Sequence, residues 1–197
     1  MQTKKKQKII LGSSSSHRKK LLDKYLDNYH IIEPNIDENL EYFEFNSKYS
    51  EELAKIKSHK IRKNVSESLI ITSDQIGVLD RKLLKKPLDH KNAIEQLLGY
   101  SNKQVTFYTS VCIFDQNSHK EYIFTDETLI KFSNISYNLA EEYLTKDLSY
   151  NCCGSFKIEG RGLLLIDRID TKDPTAVIGL PMIYILSILK ELGHIIN

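Results

Sequence analysis

Apolar residues recur along the chain in two rhythms, unbroken runs and helix-spaced sets, and these alternate from one end to the other. The run ending at Gly12, residues 8–12, predicts a short strand. The serines at 13–16 break it, and Leu21, Leu22, Tyr25 and Leu26 then fall at helical spacing. Residues 29–33 read as a second strand and residues 34–46 as a polar loop carrying Asp37 and Glu38. Ser50, with Glu51 and Glu52 behind it, predicts the N-cap and first turn of a second helix, because acidic residues suit a helix N-terminus. Leu69, Ile70 and Ile71 form a run suited to a strand buried on both faces, which is expected to stop at Thr72-Ser73-Asp74-Gln75.

Val78-Leu79, Asp80-Arg81-Lys82 and Leu83-Leu84 predict a hairpin, followed by Pro87 and a helix through Ala93, Ile94, Leu97 and Leu98. Two long β-rich stretches follow, residues 105–114 and 122–132. Then come a helix over 138–144, a loop over 154–162 with three glycines, a strand over 163–169 and a last helix over 181–192. The mixed order, with no repeat and no low-complexity linker, predicts one α/β domain spanning residues 1–197.

Composition narrows this picture in three ways. With 197 residues and 41% hydrophobic positions, the chain can build a core without disulfides or structural metal. Lys and Arg number 28 against 26 Asp and Glu, a net charge of +2 that argues against general binding to nucleic acid or an acidic membrane. Any anion site is therefore local. The three cysteines, Cys112, Cys152 and Cys153, match neither a disulfide framework nor a zinc motif. The Lys-rich start leads into an apolar stretch too short for a signal-peptide core, and Gly179 and Pro181 interrupt the most apolar segment, 177–189. A cytoplasmic protein is expected.

Two segments carry candidate chemistry. In Ser13-Ser14-Ser15-Ser16-His17-Arg18-Lys19-Lys20, small hydroxyl residues fill a strand-to-helix turn and cations open the helix. Such a turn can hold phosphate oxygens, and it equally fits a serine-capped helix with a solvated basic face. It is not a Walker A loop, which needs a Gly-Lys-Ser/Thr ending. Asp74, at the expected C-terminal end of a buried strand, sits where open α/β sheets place ligand crevices, although an aspartate there also fits a turn or cap. Asp37-Glu38, Lys57 and Lys86-Pro87 are weaker signals individually.

Seven stretches in order resemble the Maf family of nucleotide pyrophosphatases: Ile10-Leu11-Gly12-Ser13-Ser14-Ser15-Ser16-His17-Arg18, Pro34-Asn35-Ile36-Asp37-Glu38, Leu53-Ala54-Lys55-Ile56-Lys57, Ile71-Thr72-Ser73-Asp74-Gln75, Lys86-Pro87-Leu88, Gly154-Ser155-Phe156-Lys157-Ile158-Glu159-Gly160 and Val177-Ile178-Gly179-Leu180-Pro181. The resemblance implies an elongated mixed β-sheet flanked by helices with a cleft across it, a Maf or inosine triphosphatase-like fold, usually in a homodimer. It implies hydrolysis of a nucleoside triphosphate at the α–β bond to a monophosphate and pyrophosphate, as nucleotide-pool housecleaning. Asp74 takes the place of the proton acceptor, Lys57 and Lys86 are its catalytic partners, and Ser13, Ser15 and Arg18 bind phosphate. Glu38 and Asp74 would hold a divalent cation, Mg²⁺ first, with Mn²⁺ and Co²⁺ as substitutes.

Within the family, Asp74-Gln75, residues 105–109 and Cys153-Gly154-Ser155-Phe156-Lys157 with Glu159 are similar to the branch acting on 7-methyl-GTP. The branch acting on dTTP and UTP, the alternative, typically carries Thr after the Asp and Gln at the place of Glu159. A carboxylate can accept both guanine donors, N1-H and the exocyclic amine, and favours the positive charge that N7 methylation adds. Read alone, Glu159 is also a loop carboxylate to be paired with Arg161 or Arg168. His17, Gln75 and Glu159 are the specificity candidates. The chain departs from the family at Ser16 and His17, where Pro and then Arg or a large aromatic are usual, and at Lys85 and Ile56. The rival from another class is a regulator of septum formation that acts by binding, for which loss of Asp74 or its basic partners would be expected.

Overall fold

A computed structural model describes residues 7–38, 40 and 44–195 of the chain. One seven-stranded mixed sheet organises it, built from β1 (Lys8–Gly12), β2 (His30–Ile31), β3 (Ser68–Leu79), β4 (Lys82–Leu84), β5 (Gln104–Asp115), β6 (Lys120–Phe132) and β7 (Ile166–Asp170). The spatial order is β2-β1-β3-β5-β6-β7, with β4 paired to the far half of β3. β1 lies parallel to β2 and to β3, and the remaining pairings are antiparallel. The helices are α1 (Ser16–Leu22), α2 (Ser47–Arg62), α3 (His90–Gly99), α4 (Tyr137–Asp147) and α5 (Met182–Glu191).

Strand alternation decides which helix covers which face. On one face Ile10, Ile70 and Phe114 pack with Ile61 of α2, and Ile76 packs with Tyr49 and Leu53 of the same helix. On the other face Ile9, Leu11, Leu69, Ile71, Val111 and Ile113 meet Leu21 and Leu22 of α1 and Ile185, Ile188 and Leu189 of α5. Further along the long strands, Val105, Phe107, Ile130 and Phe132 form a second core with α3 and α4. The sheet is therefore elongated, with two cores arranged along it. Ile178 packs against both.

The structure moves several expected boundaries. β3 does not stop at residues 72–75 but runs on to Leu79, so Asp74 sits in mid-strand rather than at its end. The polar residues there look like a strand terminus in sequence, but β5 continues to pair with them, from Leu69 to Val78. α2 begins at Ser47 under an Asn46 cap, whose side chain accepts from Lys48 N. Ser50 is instead a buried first-turn residue whose hydroxyl lies 2.7 Å from that of Ser110 on β5. α1 ends at Leu22, leaving Tyr25 and Leu26 in a turn, and β2 keeps only two of the five residues expected. Residues 161–165 form a 3-10 turn, so β7 starts at Ile166. The hairpin at Asp80-Arg81 is present, with φ of 50° and 63° at its two turn residues, as a two-residue primed turn requires. Among the described residues no helix is long and apolar enough to cross a membrane.

Candidate active site

The cleft opens where the outer edge of β3 changes neighbour. β1 pairs with β3 as far as Thr72, and β4 pairs with it only from Gly77 onward, so no strand covers residues 73–76 on that side. A cavity of about 780 Å³ fills the gap. All ten candidate residues, Ser13, Ser15, His17, Arg18, Glu38, Lys57, Asp74, Gln75, Lys86 and Glu159, border it. They come from six separate stretches of sequence.

The pleat sends neighbours on β3 to opposite sides. Thr72, whose hydroxyl donates to Ala54 O at 2.8 Å, and Asp74 face α2, whereas Ser73 and Gln75 face the segment around residues 176–179. On the α2 side, the Lys57 ammonium lies between two carboxylates, 2.5 Å from Asp74 Oδ1 and 2.7 Å from Glu38 Oε1. Lys57 and Asp74 are each 6% exposed, so neither is solvated. This rules out the turn or cap reading of Asp74. No donor among the described residues reaches its second oxygen, Oδ2, which leaves an acceptor in the cleft.

The electrostatics separate the two carboxylates. Burial pushes Asp74 above the usual carboxylate range, against the opposing charges of Lys57 and Arg18, and the nearby Glu38 adds to the rise. Burial also pushes Glu38 up, but Lys57, Lys86 and Arg18 outweigh it and hold Glu38 below its ordinary value. Such a divergence assigns different work to two acids in one site. Relative to an ordinary carboxylate, Asp74 binds a proton more readily and Glu38 less readily.

The turn leading into α1 is held by its own serines. Ser15 N donates to the Ser13 hydroxyl at 3.1 Å, and Arg18 N donates to the Ser15 hydroxyl at 3.3 Å, the N-cap bond of α1. Gly12 permits the approach, since a Cβ there would overlap Ile61 and Thr72. Arg18 folds back onto the sheet, donating through Nε to Gly179 O at 2.9 Å and through Nη1 to Ser73 O at 2.8 Å. Burial lowers its affinity for the proton while Asp74 and Glu38 raise it. Lys86 is exposed at the opposite rim and has no acidic partner among the described residues.

The third wall carries the specificity candidates. The Gln75 amide nitrogen lies 3.0 Å from each of Thr109 Oγ1, Ala176 O and Val177 O, so the side chain is anchored and only its oxygen remains for a ligand. Glu159 pairs with neither Arg161 nor Arg168: those residues take Glu142 and Asp170. Its partner is His17, 142 positions away in sequence, with Nδ1 2.5 Å from Oε1. Two specificity candidates far apart in sequence are thus in direct contact. Sequence reasoning missed the carbonyls of residues 176, 177 and 179, which hold Gln75 and Arg18, because a backbone acceptor leaves no mark on residue type.

The donor set suits a hard divalent cation shared with phosphate. Glu38 and Asp74 already converge on one positive group, the Lys57 ammonium, and Mg²⁺ is commonly bound by one or two carboxylates with phosphate oxygens completing its shell. Among the described residues no group of three or more His, Cys, Asp or Glu could hold a metal without such help.

The family model described as Maf-like protein matches residues 8–192. A protein named 7-methyl-GTP pyrophosphatase from Colwellia psychrerythraea is 36% identical over 185 residues, covering 94% of this chain and 92% of that one. One of the same name from Pseudoalteromonas translucida is 34% identical over 185 residues, with 94% and 92% covered. Another from Hahella chejuensis is 36% identical over 186 residues, with 94% of each covered. A solved structure titled as a nucleoside-triphosphatase or dITP/XTP pyrophosphatase from Mycobacterium abscessus overlaps at a TM-score of 0.42 and 14% identity, over 65% of this chain and 75% of that one.

Proposed function

The chain belongs to the Maf family, and we propose that it is a nucleoside triphosphate pyrophosphatase whose substrate is 7-methyl-GTP, cleaved with water at the α–β bond to 7-methyl-GMP and pyrophosphate. The observation that carries the chemistry is Asp74, buried against α2 with one oxygen on Lys57 and the other open to the cleft. Water attacks phosphorus poorly until a base takes its proton. Asp74, with its proton affinity raised by burial, accepts that proton as the new P–O bond forms at the α-phosphorus. The electron pair of the broken bond leaves on the bridging oxygen of pyrophosphate. Lys57 and Lys86 face this charge as it develops. Arg18 and the hydroxyls of Ser13 and Ser15 hold phosphate oxygens at the turn. A divalent cation, Mg²⁺ or in its place Mn²⁺ or Co²⁺, would be held by Glu38 and Asp74 and would neutralise phosphate charge and acidify bound water.

This reading is tested by pyrophosphate release over a panel of nucleoside triphosphates with Mg²⁺, Mn²⁺ and Co²⁺. One pyrophosphate and one nucleoside monophosphate are expected per turnover. Orthophosphate with a nucleoside diphosphate would make the enzyme a γ-phosphatase and overturn the bond assignment.

Base choice follows from Glu159, which supplies two carboxylate oxygens beside the apolar Phe156 and Val177 at the cleft wall. The guanine edge presents two adjacent donors, and a carboxylate accepts both. In Glu159→Gln an amide donor faces a guanine donor, which costs about 1 to 3 kcal/mol. The ratio of kcat/KM for 7-methyl-GTP over UTP should therefore fall about ten- to a hundredfold. The melting temperature should hardly change, because the pair with His17 lies at the surface. Unchanged selectivity would remove Glu159 from base recognition and leave the pyrophosphatase reading intact.

A further inference from the structure

Two carboxylates outside the cleft are among the least exposed polar groups of the described residues. Asp126 on β6 is 0% exposed and Asp173, between β7 and α5, is 2% exposed. Neither is in an ion pair with a cation among the described residues. Burying a carboxylate is costly unless its oxygens are well satisfied, and here hydrogen bonds do that work. Asp126 Oδ1 accepts from the hydroxyls of Thr128 at 2.6 Å and Thr171 at 2.9 Å, and Oδ2 from the backbone N of Lys172 at 3.2 Å and Asp173 at 3.0 Å. Asp173 Oδ1 accepts from Thr175 N at 2.9 Å and lies 2.5 Å from the Thr175 hydroxyl, while Oδ2 accepts from Ile183 N at 2.7 Å in the first turn of α5. The Thr175 hydroxyl in turn accepts from Met182 N and lies 2.9 Å from Leu180 O. Both ends of the segment from residue 172 to residue 183 are thereby fastened.

What that segment carries matters to the site. Its middle presents the carbonyls of Ala176 and Val177 to the Gln75 amide and that of Gly179 to Arg18 and to the Ser73 hydroxyl. At Gly179, φ is +121°, and a Cβ there would lie 2.9 Å from Arg18 Nε, so the guanidinium is seated directly on this backbone. A second path reaches the same place through the sheet. Asp126 stands opposite Thr109 on β5, Thr109 stands opposite Gln75 on β3, and the Thr109 hydroxyl lies 3.0 Å from the Gln75 amide nitrogen. One lateral row thus joins the buried carboxylate to the specificity residue. Asp74, on the opposite face of β3, has no part in this row.

We propose that Asp126 and Asp173 are positioning residues that fix the 172–183 segment, and with it Gln75 and Arg18, so that they set nucleotide affinity and base choice without touching substrate. The proposal rests on the pyrophosphatase reading of the cleft and adds to it a network remote from the reacting atoms. Apolar groups would fill the same space at less desolvation cost, but they could not pin four backbone N–H groups, and through the Thr175 hydroxyl a fifth, along a segment that has little regular structure. Misplacing a binding group by a fraction of an ångström weakens its contacts with the ligand. Where the group lost holds substrate and transition state alike and the base lies elsewhere, KM rises with kcat little changed.

The test uses the full-length protein with Asp173→Asn and Thr175→Val, assayed for pyrophosphate release beside the wild type. For 7-methyl-GTP we expect KM to rise about tenfold in each variant and selectivity over UTP to fall by a similar factor, with kcat within about threefold of wild type. The acid limb of the pH-rate profile should stay in place, since it belongs to Asp74. A role confined to stability predicts lower melting temperatures with KM and selectivity unchanged in the folded enzyme, and that result overturns the proposal. So does failure of both variants to fold, because Thr175→Val only exchanges a hydroxyl for a methyl group of similar size. A wild-type enzyme that releases no pyrophosphate from any nucleotide removes the underlying reading instead, a result distinct from either.

Discussion

Replacing Asp74 with Asn should lower pyrophosphate release about 10²-fold or more at saturating metal, while nucleotide binding and the fold persist. The substitution keeps the shape of the side chain and an oxygen for Lys57, which lies 2.5 Å away and retains Glu38 as a second partner. What it removes is the acceptor for the water proton. The same assignment fixes the sign of the pH dependence. Asp74 must be ionised to act, and burial raises its proton affinity, so wild-type kcat/KM should fall as pH drops through a value above the ordinary carboxylate range of about 4. That acid limb should vanish from whatever residual rate the variant shows. Near-wild-type turnover of Asp74→Asn would sink the proton-acceptor assignment, whatever the limb did.

The order of elements was largely legible in the sequence because two periodicities do not overlap: unbroken runs such as Leu69-Ile70-Ile71 demand a covered strand, and spacings such as Ala93, Ile94 and Leu97 demand a one-sided helix. Misreadings arose where polar residues are buried. Residues 72–75 read as the end of a strand because Thr, Ser, Asp and Gln rarely lie inside one, yet α2, β5 and the 176–179 segment between them bond all four side chains. Ser50 read as a cap because serine prefers caps, whereas here its hydroxyl is used against β5. The ten candidate residues could be named from resemblance, but not their pairings. That Glu159 meets His17 rather than Arg161, and that Arg18 is seated on backbone carbonyls, depends on crossings between distant segments which local patterns do not encode.

Lys57→Met should be the most damaging single change to the fold among the cleft residues and should also cost most of the activity. Methionine fills the volume but leaves Asp74 buried without its closest cation, and breaking a buried pair in this way costs about 3 to 5 kcal/mol. For a chain of this size that lowers the melting temperature by about 6 to 20 °C. The loss should depend on pH in a definite direction. Asp74 has a folded-state proton affinity above its unfolded one, so the stability linked to it is present at low pH and is lost as pH rises through the folded value. Lys57 restrains that loss, and without it Asp74 shifts further up and the loss at neutral pH grows. Glu38 acts in the opposite sense, stabilising above its unfolded value and ceasing to as pH falls, and Lys57 is a main source of that contribution. Both effects make the gap between wild type and variant widest near pH 7 to 8 and narrower near pH 5, where Asp74 takes up its proton more readily. Thermal melts of the two proteins at pH 5 and pH 8 measure the gap directly. The acid limb of any residual activity should move to higher pH for the same reason, since Lys57 is the leading charge holding Asp74 down. A gap that is equal at both pH values, with an unmoved limb, would mean that the Lys57 charge does not serve these carboxylates. The site would then have to be rebuilt around Arg18 and Lys86.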